Sequence, residues 1–329
     1  MGQPILPVVQ YCEHCHTKNP SRGVEWHSPN LLSRKNLVSN LDQNYYGQRY
    51  FSPKDDLVSE AIMAIWTISR QFGSGIREIR YEIAAALHYA YADKKIIMNE
   101  IRERGGKWEK WANEFDQSTP TTWEKYDWSF KGFGALLQSI LLRHALQDNV
   151  ILAGRGSNFL LEDVPHAYRV RFVAPIEQRI ERIAQWESVD TKRAMSIAKK
   201  TDRERAGFVS ALYGRDMNDP GSYDAVFDTG AIPHEKIVVI VKEALLAKDK
   251  LKTDKAQNIL KMRAIAAKVK AGLTIDTKLY VPTLEVDCTE TELLVRGIVH
   301  NSGQYSRIEV AARELAGDTP VKIELRFRS

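Results

Sequence analysis

The residues best equipped for chemistry lie in one segment, IWTISRQFGSGIREI, residues 65–79. It brings together Ser69, Arg70, Gly73, Ser74, Gly75 and Arg77. A turn that wraps a phosphate needs residues without a Cβ, so that backbone N–H groups can converge; Gly73 and Gly75 supply them. Arg70 and Arg77 flank the turn with guanidinium groups suited to phosphate oxygens. An apolar run precedes the turn, and Ile76, Ile79, Ile83 and Leu87 follow it at helical spacing. The expected unit is therefore strand, loop and helix, with the helix N-terminus facing the anion. The same spacing also suits a tight turn that only links strand to helix, and both readings stay open. The segment departs from the phosphate-loop pattern GxxxxGK[ST]. With Gly75 as its second glycine, the first falls on Arg70, the lysine on Ile76 and the hydroxyl on Arg77.

The elements needed to position these residues can be read along the chain. AIMAIWTIS (61–69) is a continuous apolar run, as for a strand buried on both faces of a parallel sheet. A helix is expected at about 76–89, then a mostly helical, tryptophan-rich stretch at 94–147. Further strands are expected at 149–154, 168–174 and 224–229, with helices at 175–186, 190–211 and 234–247. Apolar strands separated by helices predict an α/β fold with a doubly wound parallel sheet. A lysine-rich connection, LAKDKLKTDKAQ, follows. Residues 255–329 then read helix, strand, strand, helix, strand, a small α+β unit. The expected division is an irregular N-terminal arm (1–58), a central α/β domain (60–247) and the C-terminal unit (255–329).

The chain has 329 residues and a net charge of +5, too mild to call for nucleic acid. Only Cys12, Cys15 and Cys288 occur, which gives no disulfide framework. No run of 18 apolar residues suggests a membrane span, and the N-terminus lacks a basic-then-apolar leader, so a cytoplasmic protein is expected.

Family resemblance adds to these readings. ISRQFGSGIREI resembles the opening of the cytidylate kinase-like proteins, a branch of the P-loop nucleoside monophosphate kinases. HYAYADKKII (88–97), VILAGRGSNFLL (150–161) and KKTDRERAGFVSALYGRDMNDPGSYDAVFDT (199–229) resemble further blocks of that family, in family order, covering roughly 61–247. The resemblance implies a P-loop NTPase-type sheet and phosphoryl transfer from ATP, with Mg2+, to CMP, dCMP or a related monophosphate. It implies that Ser69, Arg70, Gly73, Ser74 and Gly75 hold ATP phosphates. Asp93, Arg155 and Asp202 are implied on the acceptor side, Asp202 either orienting arginines or touching the base. Arg203 and Arg205, in TDRER, are implied as lid arginines that act in catalysis with Arg77. Asp93 also suits the N-cap of the helix DKKIIMNEI, and KKTDRER also suits a solvated helix face. The family usually has glycine at the position of Ile76. A nucleotide-binding protein with little turnover is the alternative function.

YCEHCH offers half a tetrahedral zinc site: Cys12, Cys15 and His16 are its candidate ligands, and an arm with incidental cysteines is the other reading. The C-terminal unit resembles a BON domain in its element order, in ETELLVRGIVHN and in ARELAGDTPVKIELRFR. That resemblance implies a phospholipid or other ligand; a docking module for a protein partner is the alternative.

Overall fold

A computed structural model describes residues 63–117 and 127–328. The candidate zinc ligands Cys12, Cys15 and His16 lie outside the described residues.

Five parallel strands form the main sheet: β1 (Ile65–Arg70), β2 (Ala90–Ala92), β3 (Val150–Ala153), β4 (Ala167–Val173) and β5 (Ala225–Asp228). Their order is β2-β3-β1-β4-β5. β1 is central, pairing Thr67 with Leu152 of β3 and with Arg169 of β4. From β1 the chain passes to the edge strand β2, returns to β3 beside β1, and then crosses to β4 and β5 on the other side. The loop after β1 thus opens at the sheet's switch point, where ligands of open α/β sheets bind.

Helices cover both faces because successive strand residues point to opposite sides. On one face, Trp66, Ile68, Ile151, Val170 and Phe172 pack with α1 (Ile76–Ala86) and α8 (His234–Asp249). On the other, Ile65, Val150, Leu152 and Ala167 pack with α2 (Lys94–Arg102), α3 (Gly106–Gln117) and α4 (Trp128–Ala145). A short helix, α5 (Ser157–Leu160), follows β3. α6 (Ile176–Glu187) and α7 (Thr191–Tyr213) lie between β4 and β5 and build a smaller cluster around Ile180, Ile183, Ala194 and Ala198.

The C-terminal part contains α9 (Asp254–Ile275), β6 (Glu285–Cys288), β7 (Leu293–Val299), α10 (Ser302–Ala316) and β8 (Val321–Phe327). β7 is the middle strand, antiparallel to β6 and parallel to β8. Most of the lysine-rich connection is helical, since α8 runs to Asp249 and α9 begins at Asp254. The short joint is anchored by Lys252, whose Nζ lies 2.7 Å from Asp148 Oδ2.

α9 is apolar around much of its circumference, and the pattern has a use. Leu260, Ala264 and Ala271 join the core of α2, α3 and α4. Met262, Ala266, Val269 and Leu273 join the core under the β6-β7-β8 sheet. A helix buried on two sides needs no polar face. Trp128 of α4 strengthens the same contact by donating from Nε1 to Thr274 O at 2.5 Å.

Candidate active site

The phosphate loop is built from both of its ends. Gln71 N–H donates to Phe172 O at 3.0 Å, so the loop leaves β1 still tied to β4. Gly73 and Gly75 adopt φ +82° and +73°, the left-handed region that side chains disfavour. Gly75 caps α1 with no side-chain hydrogen bond. The first N–H groups of α1 thus lack the side-chain acceptor that a capping residue would bring. The Ser74 hydroxyl is also buried without a partner among the described residues.

The glycines have a second reason to be there. A Cβ on Gly73 would lie 2.9 Å from Arg179 O and 2.9 Å from Ile183 Cδ1; one on Gly75 would lie 3.1 Å from Arg182 Nη1. α6 therefore packs directly onto the loop. Arg179 Nε donates to Phe72 O at 2.7 Å and Arg182 Nη1 to Gly73 O at 3.2 Å. Neither arginine stood out in the sequence. The available signal was their i, i+3 spacing on one face of an amphipathic helix.

The TDRER segment lies within α7, which reaches over the loop. Asp202 accepts from Phe72 N–H at 2.8 Å and pairs with Arg179, not with Arg203 or Arg205. Arg205 Nη1 donates to Arg70 O at 3.0 Å, and its guanidinium lies 5.4 Å from the centroid of the Phe72 ring. Arg203 is exposed and shares a cavity of about 210 Å³ with Arg70, Gln71, Arg171 and Asn218.

Ser69 is 6% exposed, and its hydroxyl is occupied. It accepts from Arg171 Nη1 at 3.0 Å and lies 3.1 Å from Tyr223 Oη. Arg171 stands beside Ser69 because the two are register partners across β1 and β4. Ser69 is thus a wall of the site, and Ser74 is the loop serine with hydrogen-bonding capacity left. Arg77 is half-buried in the first turn of α1.

Beyond the loop, GRG after β3 holds three successive left-handed residues: Gly154 (φ +83°), Arg155 (φ +59°) and Gly156 (φ +74°). A non-glycine held there stores strain, a feature that clusters at functional sites. Tyr213 Oη donates to Arg155 O at 2.7 Å, and its ring fills the space a Cβ on Gly156 would need. Asp93 realises the capping alternative, Oδ1 accepting from Lys95 N–H at 2.8 Å and Ile96 N–H at 3.1 Å.

These elements gather positive charge. Burial, with help from Arg70, lowers Arg155 to about 10 and Arg205 to about 9. Burial, then Arg155 and Arg205, lowers Lys94 to about 8. Burial also lowers Arg70 itself. Arg70 bears on Arg155 and Arg205, and these two bear on Lys94, so the four cations form a chain of electrostatic neighbours. Such a cluster favours a multiply charged anion.

A second cavity, about 250 Å³, lies on the other side of the loop. Gly75, Arg182, Thr229, Ile232, His234 and the 43%-exposed Trp186 line it. Among the described residues there is no group of three or more His, Cys, Asp or Glu suited to a metal ion. Magnesium bound with phosphates keeps several waters and takes few protein ligands. The unpartnered Ser74 hydroxyl fits that modest demand.

A central strand leading through a glycine loop into a helix, in a sheet ordered β2-β3-β1-β4-β5, defines a P-loop fold of the kinase type. The profile of the cytidylate kinase-like family matches residues 65–231, just over half of the chain, and the chain belongs to that family. It is 27% identical over 196 residues to the cytidylate kinase of Pyrococcus horikoshii, covering 59% of this chain and 90% of that protein. It is also 32% identical over 108 residues to a uronate isomerase of Corynebacterium glutamicum, covering 32% of this chain and 20% of that protein. The chain spans about half the length of most of the other curated relatives it matches. A shikimate kinase structure from Bacteroides thetaiotaomicron aligns at 12% identity and a TM-score of 0.36, over 56% of this chain and 98% of that one; so slight a likeness has no bearing on function. No helix among the described residues is long and apolar enough to cross a membrane.

Proposed function

We propose that the protein is an ATP-dependent nucleoside monophosphate kinase, with CMP or dCMP as its first-choice acceptor. One observation carries the reading: a phosphate loop whose helix N-terminus has no side-chain cap stands beside four cations, Arg70, Lys94, Arg155 and Arg205, each lowered by burial. One anionic ligand explains the loop, and a second explains the cluster.

In this reading the N–H groups of Gly73, Ser74 and Gly75 and of the first turn of α1 hold the donor phosphates. The cavity beside Arg182 and Trp186 takes the donor's base. Asp93 and Arg155 face the acceptor, with Lys94 added to the residues implied by the family. Arg203 and Arg205 neutralise charge on the phosphoryl group. An acceptor phosphate oxygen forms the new P–O bond while the β–γ bridging bond breaks and its electron pair leaves on ADP. Such a transfer asks mainly for position and positive charge, which an arginine-rich site supplies. Magnesium, when bound with ATP, adds charge neutralisation at the phosphates, with Ser74 the loop hydroxyl within the site.

The test is coupled ADP release with a panel of monophosphates and small hydroxylated metabolites. Turnover with CMP or dCMP above the others supports the proposal; a folded protein silent with every acceptor refutes it. A second reading, nucleotide binding with little turnover, draws on Ile76, an apolar residue in the lysine position. Micromolar ATP binding by calorimetry without transfer favours that one. In either case the C-terminal unit is read as a BON-like module, its αββαβ order being the support, with a phospholipid or a protein as its partner.

A further inference from the structure

The loop lacks a cation where such loops usually carry one, and another cation stands nearby. Ile76, in the lysine position, is 4% exposed in the core shared by the sheet, α1 and α8. Arg77, one residue on, is half-buried in the first turn of α1.

Arg70 belongs to both halves of the site. By chain it is the last residue of β1 and the first of the loop. By position it reaches the acceptor side, where a Cβ on Gly154 would lie 3.8 Å from its Nη1. Its charge bears on Arg155 and Arg205, while Tyr91, Arg80 and Asp93 bear on it. Its backbone is fixed, since its carbonyl accepts from Arg205 Nη1 and it is in register with Phe172.

Among the described residues nothing accepts a hydrogen bond from its guanidinium. Asp93 bears on it, and Asp93 Oδ1 caps α2. Arg70 is half-buried at the wall of the cavity and close to other cations, a setting that favours an anion.

We propose that Arg70 supplies, from the first position of the loop, the charge that a lysine at the position of Ile76 would have supplied, and that its guanidinium binds the phosphoryl group in transit from donor to acceptor. This rests on the kinase reading above. In the transfer, Arg70 meets the γ-phosphoryl oxygens as the bond to the ADP oxygen breaks and the bond to the acceptor oxygen forms. A fork of N–H donors suits that planar, three-oxygen group.

The experiment uses the full chain, with Arg70→Ala, Arg70→Lys and Arg77→Ala. ADP release gives kcat and KM, and calorimetry gives ATP and ADP affinities. Arg70→Ala is expected to lower kcat about 10²-fold or more, and to weaken ATP at least about tenfold while ADP changes by less than about threefold. Arg70→Lys is expected to fall between, and added guanidinium ion to restore part of the Arg70→Ala rate. A larger loss in Arg77→Ala than in Arg70→Ala overturns the proposal. So does an equal loss of ATP and ADP affinity, or an absence of guanidinium rescue in a folded variant. Should the wild type bind ATP yet turn over no acceptor, the kinase reading falls alone. The difference between ATP and ADP affinity in Arg70→Ala then still decides whether Arg70 meets the terminal phosphate.

Discussion

Replacing Asp202 with alanine should loosen the phosphate loop from α7, and the structure allows the size to be worked out. The Asp202 carboxylate accepts from Phe72 N–H at 2.8 Å and pairs with Arg179, whose side chain is 6% exposed against 28% for Asp202. Removing one partner of a buried ion pair costs about 3–5 kcal/mol, because the other charge is stranded. Two facts reduce that figure here. Asp202 is partly solvated, which screens the pair, and Arg179 keeps its bond to Phe72 O. The ion pair then accounts for roughly 2 kcal/mol, and the lost bond to the Phe72 amide for about 1. Asp202→Ala should thus destabilise by about 2–4 kcal/mol. Asp202→Asn, which retains an acceptor for the amide, should cost roughly half as much. Urea unfolding of wild type, Asp202→Ala, Arg179→Ala and the double variant closes a cycle. A coupling energy of at least about 1 kcal/mol is expected. A loss below about 0.5 kcal/mol in Asp202→Ala, or strict additivity in the cycle, would refute the clamp.

Gly73→Ala should destabilise more than Gly75→Ala. Both bear left-handed strain of about 1–2 kcal/mol, but the new Cβ at position 73 meets fixed backbone at Arg179 O, which adds roughly 1–3 kcal/mol. At position 75 it meets only the guanidinium of Arg182, a side chain and not backbone; thermal and urea melts distinguish the two. Lys94, lowered to about 8 by burial and then by Arg155 and Arg205, sets a pH dependence. Because its folded pKa lies below its ordinary value of 10.5, the folded protein releases the proton first. The penalty from Lys94 should therefore be full and independent of pH below about 8, and be relieved as pH rises from about 8 to 10.5. Affinity for phosphate ligands should fall as pH rises through about 8, and Lys94→Arg should flatten that fall in calorimetry between pH 7 and 9.5. Leu260→Ala, at a position 1% exposed on α9, should cost about 2–5 kcal/mol and lower the urea midpoint read by Trp128 fluorescence.

The parts of the fold that repeat a simple period were legible in the residues. β1 and β3 are apolar runs between helices, β4 is a largely apolar strand carrying Arg169 and Arg171, and Gly73 and Gly75 announce the loop by the conformations they allow. β2 was not, because the three residues Ala90–Ala92 are too short to carry an alternation. The clamp of Asp202, Arg179 and Phe72 was invisible for another reason. Its contacts join residues 130 and 107 positions apart, and a charged residue on an amphipathic helix reads as solvated until its neighbour across space is known. Arg203 and Arg205 carried a family signal, yet the chain alone could not tell that Arg205 turns inward and Arg203 outward. Ser69 and Ser74 look alike in sequence; only the register that sets Arg171 beside Ser69 separates them. The lysine-rich connection misleads because composition suggests a solvated tether, while Lys252 is held at Asp148 and helices close in from both sides.

The shared helix α9 changes what cutting the chain would mean. Cleavage near residue 250 looks like the natural way to separate the large sheet from the small one. It would instead strip Leu260, Ala264 and Ala271 from the core of α2–α4 and leave an apolar trench along α4, a surface prone to aggregation. Intact, the two sheets share one reservoir of folding free energy. A nucleotide bound at the loop should then slow amide exchange in β6–β8, and a molecule bound to the small sheet should raise the melting temperature of the large one, by the same linkage in both directions.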